Sequence, residues 1–271
     1  MTETLSQPQA QPHAQPHARP QAEARRLTRP DGATIAYHSV PGKGPGVVFI
    51  HGFMSDMTGG KAVFLEDWAR RAGRAFVRFD QRGHGQSDQR FEEGTIGAWA
   101  DDVVQVLDHL TEGPQVLVGS SMGGWLMLLA ALARPERVAA LVGIAAAPDF
   151  TEELMWTLFD DAARETLARD GVLTVPSDYG DDPYPITRAL IEEARDHLLL
   201  GGPIPLTCPV RLIQGMKDES VPWETAPRLL ERLASPDVEL TLIKSGDHRL
   251  SEPHDLARLQ GVLEGVLKRV G

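Results

Sequence analysis

The chain has 271 residues, 42% of them apolar and 24% charged, with a formal charge of −11 and one cysteine, Cys208. That length supports one sizeable domain with a single buried core. The acidic balance disfavours phosphate backbones and anionic membrane surfaces as partners, and one cysteine excludes an internal disulfide, which fits a reducing compartment.

Residues 1–24 are rich in Gln, Pro, Ala and His and hold little that builds a core, so they read as a disordered tail. His13 and His17 stand isolated among prolines there and make a poor metal site. The tail lacks a basic-then-apolar signal pattern, and Arg25-Arg26 has no apolar segment after it. The domain is expected over 25–271, with ordered structure starting near Leu27.

Arg29-Pro30-Asp31-Gly32 is a turn signal, followed by a short strand over 34–38 and a second turn over 41–46. Apolar runs typical of buried parallel strands then recur at 46–50, 75–79, 115–118, 139–144, 210–214 and 239–243. Helical patterns lie between most of them, at 62–72, 95–110, 122–133, 223–233 and 253–270. This alternation predicts an α/β fold with a mostly parallel sheet flanked by helices. The apolar stretches 125–133 and 138–147 are parted by Arg134, Pro135, Glu136 and Arg137, so no integral membrane segment is expected.

About 65 residues separate the strand ending near Ile144 from the one starting at Val210. Within them 151–169 and 186–200 look helical, and 175–185 is rich in Pro, Asp and Gly. An insertion of that size at the carboxyl edge of a parallel sheet predicts a helical cap over a site, at about 150–205.

The strongest chemical signal is Gly119-Ser120-Ser121-Met122-Gly123, which follows an apolar strand and opens a helix. Its glycines allow a tight turn that presents the Ser121 hydroxyl at the top of the sheet, and the Met122 amide sits at a helix start, facing a developing oxyanion. A serine nucleophile needs a base held by a third group, and sheets with such an elbow carry them in the order Ser, acid, His. His248 lies in Ser245-Gly246-Asp247-His248, just past the strand 239–243, and is the base candidate; His254 falls in the first turn of a helix and reads as solvated or capping. Asp218, after the strand 210–214, is the preferred acid, with Asp149 the main alternative. Glu219 points elsewhere, and Asp247 is too close to His248 in sequence to orient it. His51-Gly52-Phe53-Met54 follows the strand ending at Ile50, which makes the Phe53 amide the second oxyanion donor and gives His51 a bracing role in the loop. Asp80-Gln81-Arg82-Gly83-His84-Gly85-Gln86-Ser87 reads as a structural loop braced by Asp80 and Arg82. Leu154, Met155, Trp156, Leu158 and Phe159 have two readings: the wall of an acyl pocket, for which Trp156 and Phe159 are the candidates, or packing of the cap onto the body. Phosphate-loop, dinucleotide and zinc-helix motifs are missing from the sequence, so neither a cofactor nor a metal is expected. Cys208, before Pro209 at the start of a strand, reads as a small core residue.

Taken together these residues resemble the α/β-hydrolase superfamily over nearly all of 27–270. Longer runs narrow the resemblance to a branch of palmitoyl-protein thioesterases and acyl-glucuronide esterases. They are Ser55-Asp56-Met57, the run from Gly119 through Gly124-Trp125-Leu126-Met127-Leu128, Ala133-Arg134-Pro135-Glu136-Arg137-Val138, Gly215-Met216-Lys217-Asp218 with Val221-Pro222-Trp223, and Asp247-His248-Arg249. The resemblance implies an α/β-hydrolase fold, a Ser121–Asp218–His248 triad, and a small-molecule ester or thioester substrate. A fatty-acyl thioester, such as an S-acylated protein cysteine, is the specific substrate it implies; nucleic acid is not an expected partner. The chain departs from the branch in two places: its oxyanion loop reads His51-Gly52-Phe53 rather than Pro-Gly-Tyr, and its tail does not look like a mitochondrial presequence. A cytoplasmic location is therefore expected. Dehalogenases and epoxide hydrolases use a carboxylate at the elbow, so Ser121 argues against them. Carbon–carbon hydrolases, perhydrolases and a non-catalytic ligand-binding module are the remaining alternatives.

Overall fold

The computed structural model describes residues 23–176 and 183–271; the expected tail lies almost wholly outside them. Among the described residues, eight strands form one sheet. In chain order they are β1 (Arg25–Thr28), β2 (Thr34–Val40), β3 (Lys43–Ile50), β4 (Arg74–Phe79), β5 (Gln115–Ser120), β6 (Val138–Ile144), β9 (Val210–Gly215) and β10 (Val238–Ile243). Their order across the sheet is β1-β2-β4-β3-β5-β6-β9-β10. β1 and β2 pair antiparallel with their neighbours, and every pairing from β4 to β10 is parallel. β1 escapes the sequence reading because its four residues, Arg-Arg-Leu-Thr, are half-buried or exposed and carry no apolar run.

The central strands are apolar on both faces because helices cover both. On β3, Val48 and Ile50 face one core while Val47 and Phe49 face the other; on β5, Leu117 opposes Val116 and Val118. The first core is closed by α2 (Ile96–Leu110), α3 (Met122–Ala133) and α6 (Thr225–Arg232), through Trp99, Trp125 and Leu229. The second is closed by α1 (Gly60–Ala72) and α7 (Pro253–Val270), through Leu65, Trp68, Leu259 and Leu263. Each such buried side chain contributes about 1.5–3 kcal/mol. α1 buries Ala62, Leu65, Trp68 and Ala69, a helical stripe, and ends on Gly73 in the left-handed region at φ 62°. α2 starts on Thr95, whose side chain accepts from the Ala98 amide.

The cap is less helical than expected. A π-helical turn covers Thr151–Trp156, and the chain then breaks before α4 (Asp161–Asp170). The break is local chemistry: Asp160 caps a new helix by accepting from the Ala163 amide. β7 (Val172–Val175) pairs antiparallel with β8 (Tyr184–Thr187), so Tyr184 and Pro185 are strand and not loop. Thr187 accepts from the Leu190 amide and caps α5 (Arg188–Ala194), which therefore starts later than the expected 186. A 3-10 turn, Arg195–His197, follows. Leu167, Ile186 and Ile191 form a small core of the cap's own.

Candidate active site

Ser121 sits between β5 and α3 with φ 55° and ψ −119°, a strained conformation for a residue with a side chain. The residues two positions to either side of it must be glycine. A Cβ on Gly119 would lie 2.2 Å from the Gly123 carbonyl oxygen, and one on Gly123 would lie 2.1 Å from that of Ile50. Met122 opens α3, so its amide has no helical acceptor. A Cβ on Gly52 would be 3.1 Å from Ser121 Cβ, so the β3 loop runs directly beside the serine. The Phe53 amide in that loop meets no backbone acceptor among the described residues.

The loops after β9 and β10 come together through backbone contact. The Lys217 amide donates to the Gly246 carbonyl at 2.9 Å, and a Cβ on Gly215 would lie 2.4 Å from that oxygen. This approach sets His248 Nδ1 2.8 Å from Asp218 Oδ2. The Asp218 side chain is fully buried. Its Oδ1 accepts from the Ser220 and Val221 amides at 2.9 and 2.8 Å, and its Oδ2 also accepts from Gln214 Nε2 at 2.9 Å. Nδ1, facing a carboxylate oxygen, is the ring nitrogen that donates, which leaves Nε2 as the acceptor. Ser121 and His248 line one cavity of about 530 Å³, together with Gly52 and Phe53.

The other candidates are engaged elsewhere. Asp149 accepts from the Leu199 and Leu200 amides, both at 2.8 Å. Asp247 accepts from the Leu250 amide, and His254 is largely exposed. His51 is buried, with Nδ1 2.8 Å from the Gly52 carbonyl oxygen and Nε2 3.8 Å from Asp80 Oδ1; burial holds its pKa below the usual histidine value. Asp80 accepts from the Met57 and Gln86 amides, and Arg82 grips Asp102. The Phe53 ring meets Phe91, Trp99, Phe150 and Tyr184 edge-on at 4.9–5.9 Å. Cys208 is half-buried against the first core, and burial pushes its thiol up.

Trp156 and Phe159 are not among the residues that line the serine cavity. They pack on the cap's small core, with Trp156 held between the guanidinium groups of Arg164 and Arg195 at 5.2 and 5.0 Å. Trp156, the last residue of the π-helical turn, is kept on the cap by those two guanidinium groups, and Phe159 follows in the break before α4. Sequence reasoning missed Tyr184, Lys61 and Arg249, which do line the cavity. Arg249 adjoins His248 and was open to notice; Tyr184 and Lys61 arrive only through folding of the cap and of α1. Among the described residues no group of three or more His, Cys, Asp or Glu is placed to hold a metal ion, and no helix is long and apolar enough to cross a membrane.

Residues 45–179 match the family model described as alpha/beta hydrolase fold. The chain is 44% identical over 248 residues to bovine (Bos taurus) palmitoyl-protein thioesterase ABHD10, mitochondrial, covering 90% of this chain and 80% of the relative. The human (Homo sapiens) protein of the same name is 42% identical over 245 residues, at 90% and 80% coverage. Among solved structures, alpha/beta hydrolase domain-containing protein 10 from mouse superposes with a TM-score of 0.85 at 43% identity, covering 92% of this chain and 100% of that one. A putative hydrolase from Agrobacterium vitis S4 superposes with a TM-score of 0.87 at 38% identity, covering 90% and 98%. The mitochondrial designation of the thioesterase relatives overturns the cytoplasmic expectation, which rested on the composition of a tail lying almost wholly outside the described residues.

Proposed function

This chain belongs to the α/β-hydrolase family, and on that premise we propose that it hydrolyses carboxylic esters and thioesters through an acyl-enzyme on Ser121. The observation that carries the reading is the Asp218–His248 hydrogen bond at 2.8 Å on the cavity that Ser121 also lines. In this mechanism Ser121 Oγ attacks the substrate carbonyl carbon while His248 Nε2 takes its proton. Asp218 stabilises the imidazolium. The Phe53 and Met122 amides receive the oxyanion, and losing one such donor typically costs a factor of about 10²–10³. As the carbonyl re-forms, the carbon–oxygen or carbon–sulfur bond breaks and His248 returns the proton to the departing alkoxide or thiolate. Water, deprotonated by His248, then attacks the acyl-Ser121 ester; the bond from the acyl carbon to Ser121 Oγ breaks, His248 returns the proton to that oxygen, and the acid leaves.

Long-chain acyl thioesters, including S-acylated protein cysteines, are the finer part of the proposal. Relatives named palmitoyl-protein thioesterase at 42–44% identity support it. The test is hydrolysis of short and long acyl chains, each as oxygen ester and thioester, by wild type and Ser121→Ala. We expect Ser121→Ala to lose at least about a thousandfold in turnover with its fold intact. Retained turnover in a pure, folded variant overturns the mechanism. Preference for short oxygen esters leaves Ser121 in place and removes the long-chain thioester reading.

A further inference from the structure

His248 is carried by a loop at the margin of the sheet. β10 is the edge strand, so the loop that leaves it at Ile243 has a neighbouring strand on one side only. The half of the loop before His248 is fixed by backbone. The Gly246 amide donates to the Ile243 carbonyl at 3.0 Å, and the Gly246 carbonyl accepts from the Lys217 amide at 2.9 Å. The half after His248 holds a strained residue. Leu250 has φ 45°, in the left-handed region, and its side chain is buried in the second core. Such a conformation persists only where the surroundings hold the backbone in place.

Lys61, in the first turn of α1, grips the residues on both sides of Leu250. Its Nζ donates to the Arg249 carbonyl oxygen at 2.5 Å and to Ser251 Oγ at 3.2 Å. Ser251 Oγ donates to the same carbonyl oxygen at 2.9 Å, so the three groups close a ring of hydrogen bonds directly after His248. A donor that carries charge makes such bonds roughly twice as strong as a neutral one. α1 follows the Phe53 loop, and Lys61 and His248 line the same cavity, so this contact ties the oxyanion side of the site to its base side. The charged groups around the ammonium are Asp247 and Arg249 on the loop, Asp255 on α7 and Asp56 ahead of α1. Burial, against the pull of Asp247, draws the Lys61 ammonium down to about 8.

We propose that Lys61 is a positioning residue for the hydrolytic reaction: its ammonium clamps the His248 loop onto α1 and so keeps the imidazole in place on the Ser121 cavity. The inference rests on the serine-hydrolase reading. Its test is hydrolysis of p-nitrophenyl butyrate, a neutral ester, so that recognition of a substrate charge plays no part. Lys61→Met keeps an apolar stem and removes the donors, whereas Lys61→Arg keeps a cation with N–H groups. A misplacement of about 1 Å can cost about 10²-fold, so Lys61→Met is expected to lose about 10- to 100-fold in kcat with KM within about twofold. Lys61→Arg recovers most of that loss, and thermal melts check both folds. The kcat of wild type should also fall relative to Lys61→Arg as pH rises through about 8, because the lysine ammonium is lost there and a guanidinium is not. An unchanged kcat in Lys61→Met overturns the clamp. So does a loss that Lys61→Arg fails to recover, or a ratio of wild type to Lys61→Arg that stays constant between about pH 7 and about pH 9.5. Turnover by wild type and its loss in Ser121→Ala report separately on the hydrolase reading.

Discussion

A Cβ on Gly123 would lie 2.1 Å from the Ile50 carbonyl oxygen and 2.7 Å from that of His51. Both are backbone atoms that cannot rotate aside, so Gly123→Ala is expected to cost about 3 kcal/mol or more, read from urea unfolding. A loss under about 0.5 kcal/mol refutes the strain argument. His84 carries a different prediction. Its ring meets those of His51, Phe91 and Trp99 at 5.0–5.2 Å, and its Nε2 has no partner among the described residues. Burial first, and His51 second, lower its pKa from 6.5 to about 3. The unfolded chain therefore binds this proton first. Stability is full above pH 6.5 and is lost as pH falls toward about 3, at about 1.4 kcal/mol per pH unit. Asp80, pushed up by burial, opposes that loss by taking a proton in the folded state. His84→Phe should flatten the decline between pH 7 and pH 4.5 in urea titrations, and an equal decline in variant and wild type counts against it. At this scale much was legible in sequence. Ser121, Asp218 and His248 each follow an apolar strand within a short loop, so local signals named them as candidates, with Asp149 left as an alternative acid. Lys61 was not legible, because its partner Arg249 lies 188 residues away.

The cap is where elements depart most from expectation. The amphipathic look of 151–169 concealed a π-helical turn, a break and a second helix, because Asp160 restarts the helix with its own side chain. The β7–β8 hairpin was hidden by Pro185 and by the Pro/Asp/Gly-rich stretch around it. Phe150, Leu190, Ala194 and Leu200 pack into the first core and hold this segment to the body, and polar contacts add to them. Glu152 pairs with Arg195 at 2.8 Å, Glu153 pairs with Arg228 on α6, and Asp149 binds the Leu199 and Leu200 amides. Burial keeps the Asp149 carboxyl above its ordinary pKa in spite of those two amides. Asp149→Ala leaves both donors without their acceptor, and we expect a loss of about 2 kcal/mol or more in unfolding free energy. A change within about 0.5 kcal/mol removes Asp149 as a tether of the cap.

Over the whole molecule, stability is concentrated in the middle of the sheet. β3, β5 and β6 are covered on both faces, whereas β7, β8 and α4 rest on Leu167, Ile186 and Ile191 with a few half-buried neighbours. Hydrogen exchange should therefore be slowest in β3, β5 and β6 and faster by orders of magnitude in β7, β8 and α4. Equal protection in the two regions contradicts this ranking. The parallel order of the sheet was readable from alternating strands and helices, while the antiparallel edge at β1 was not, since an exposed polar strand has no apolar signature. One consequence follows from Asp149. Its carboxylate joins the chain where it leaves the sheet to the chain fifty residues later, so the excursion returns to its own doorstep. The entropy of closing a loop grows only slowly with loop length, by about 0.6 kcal/mol per doubling. Residues added or removed between these two points therefore cost little in loop closure, and the joint can absorb a change in the length of the excursion while the sheet and its elbow stay as they are.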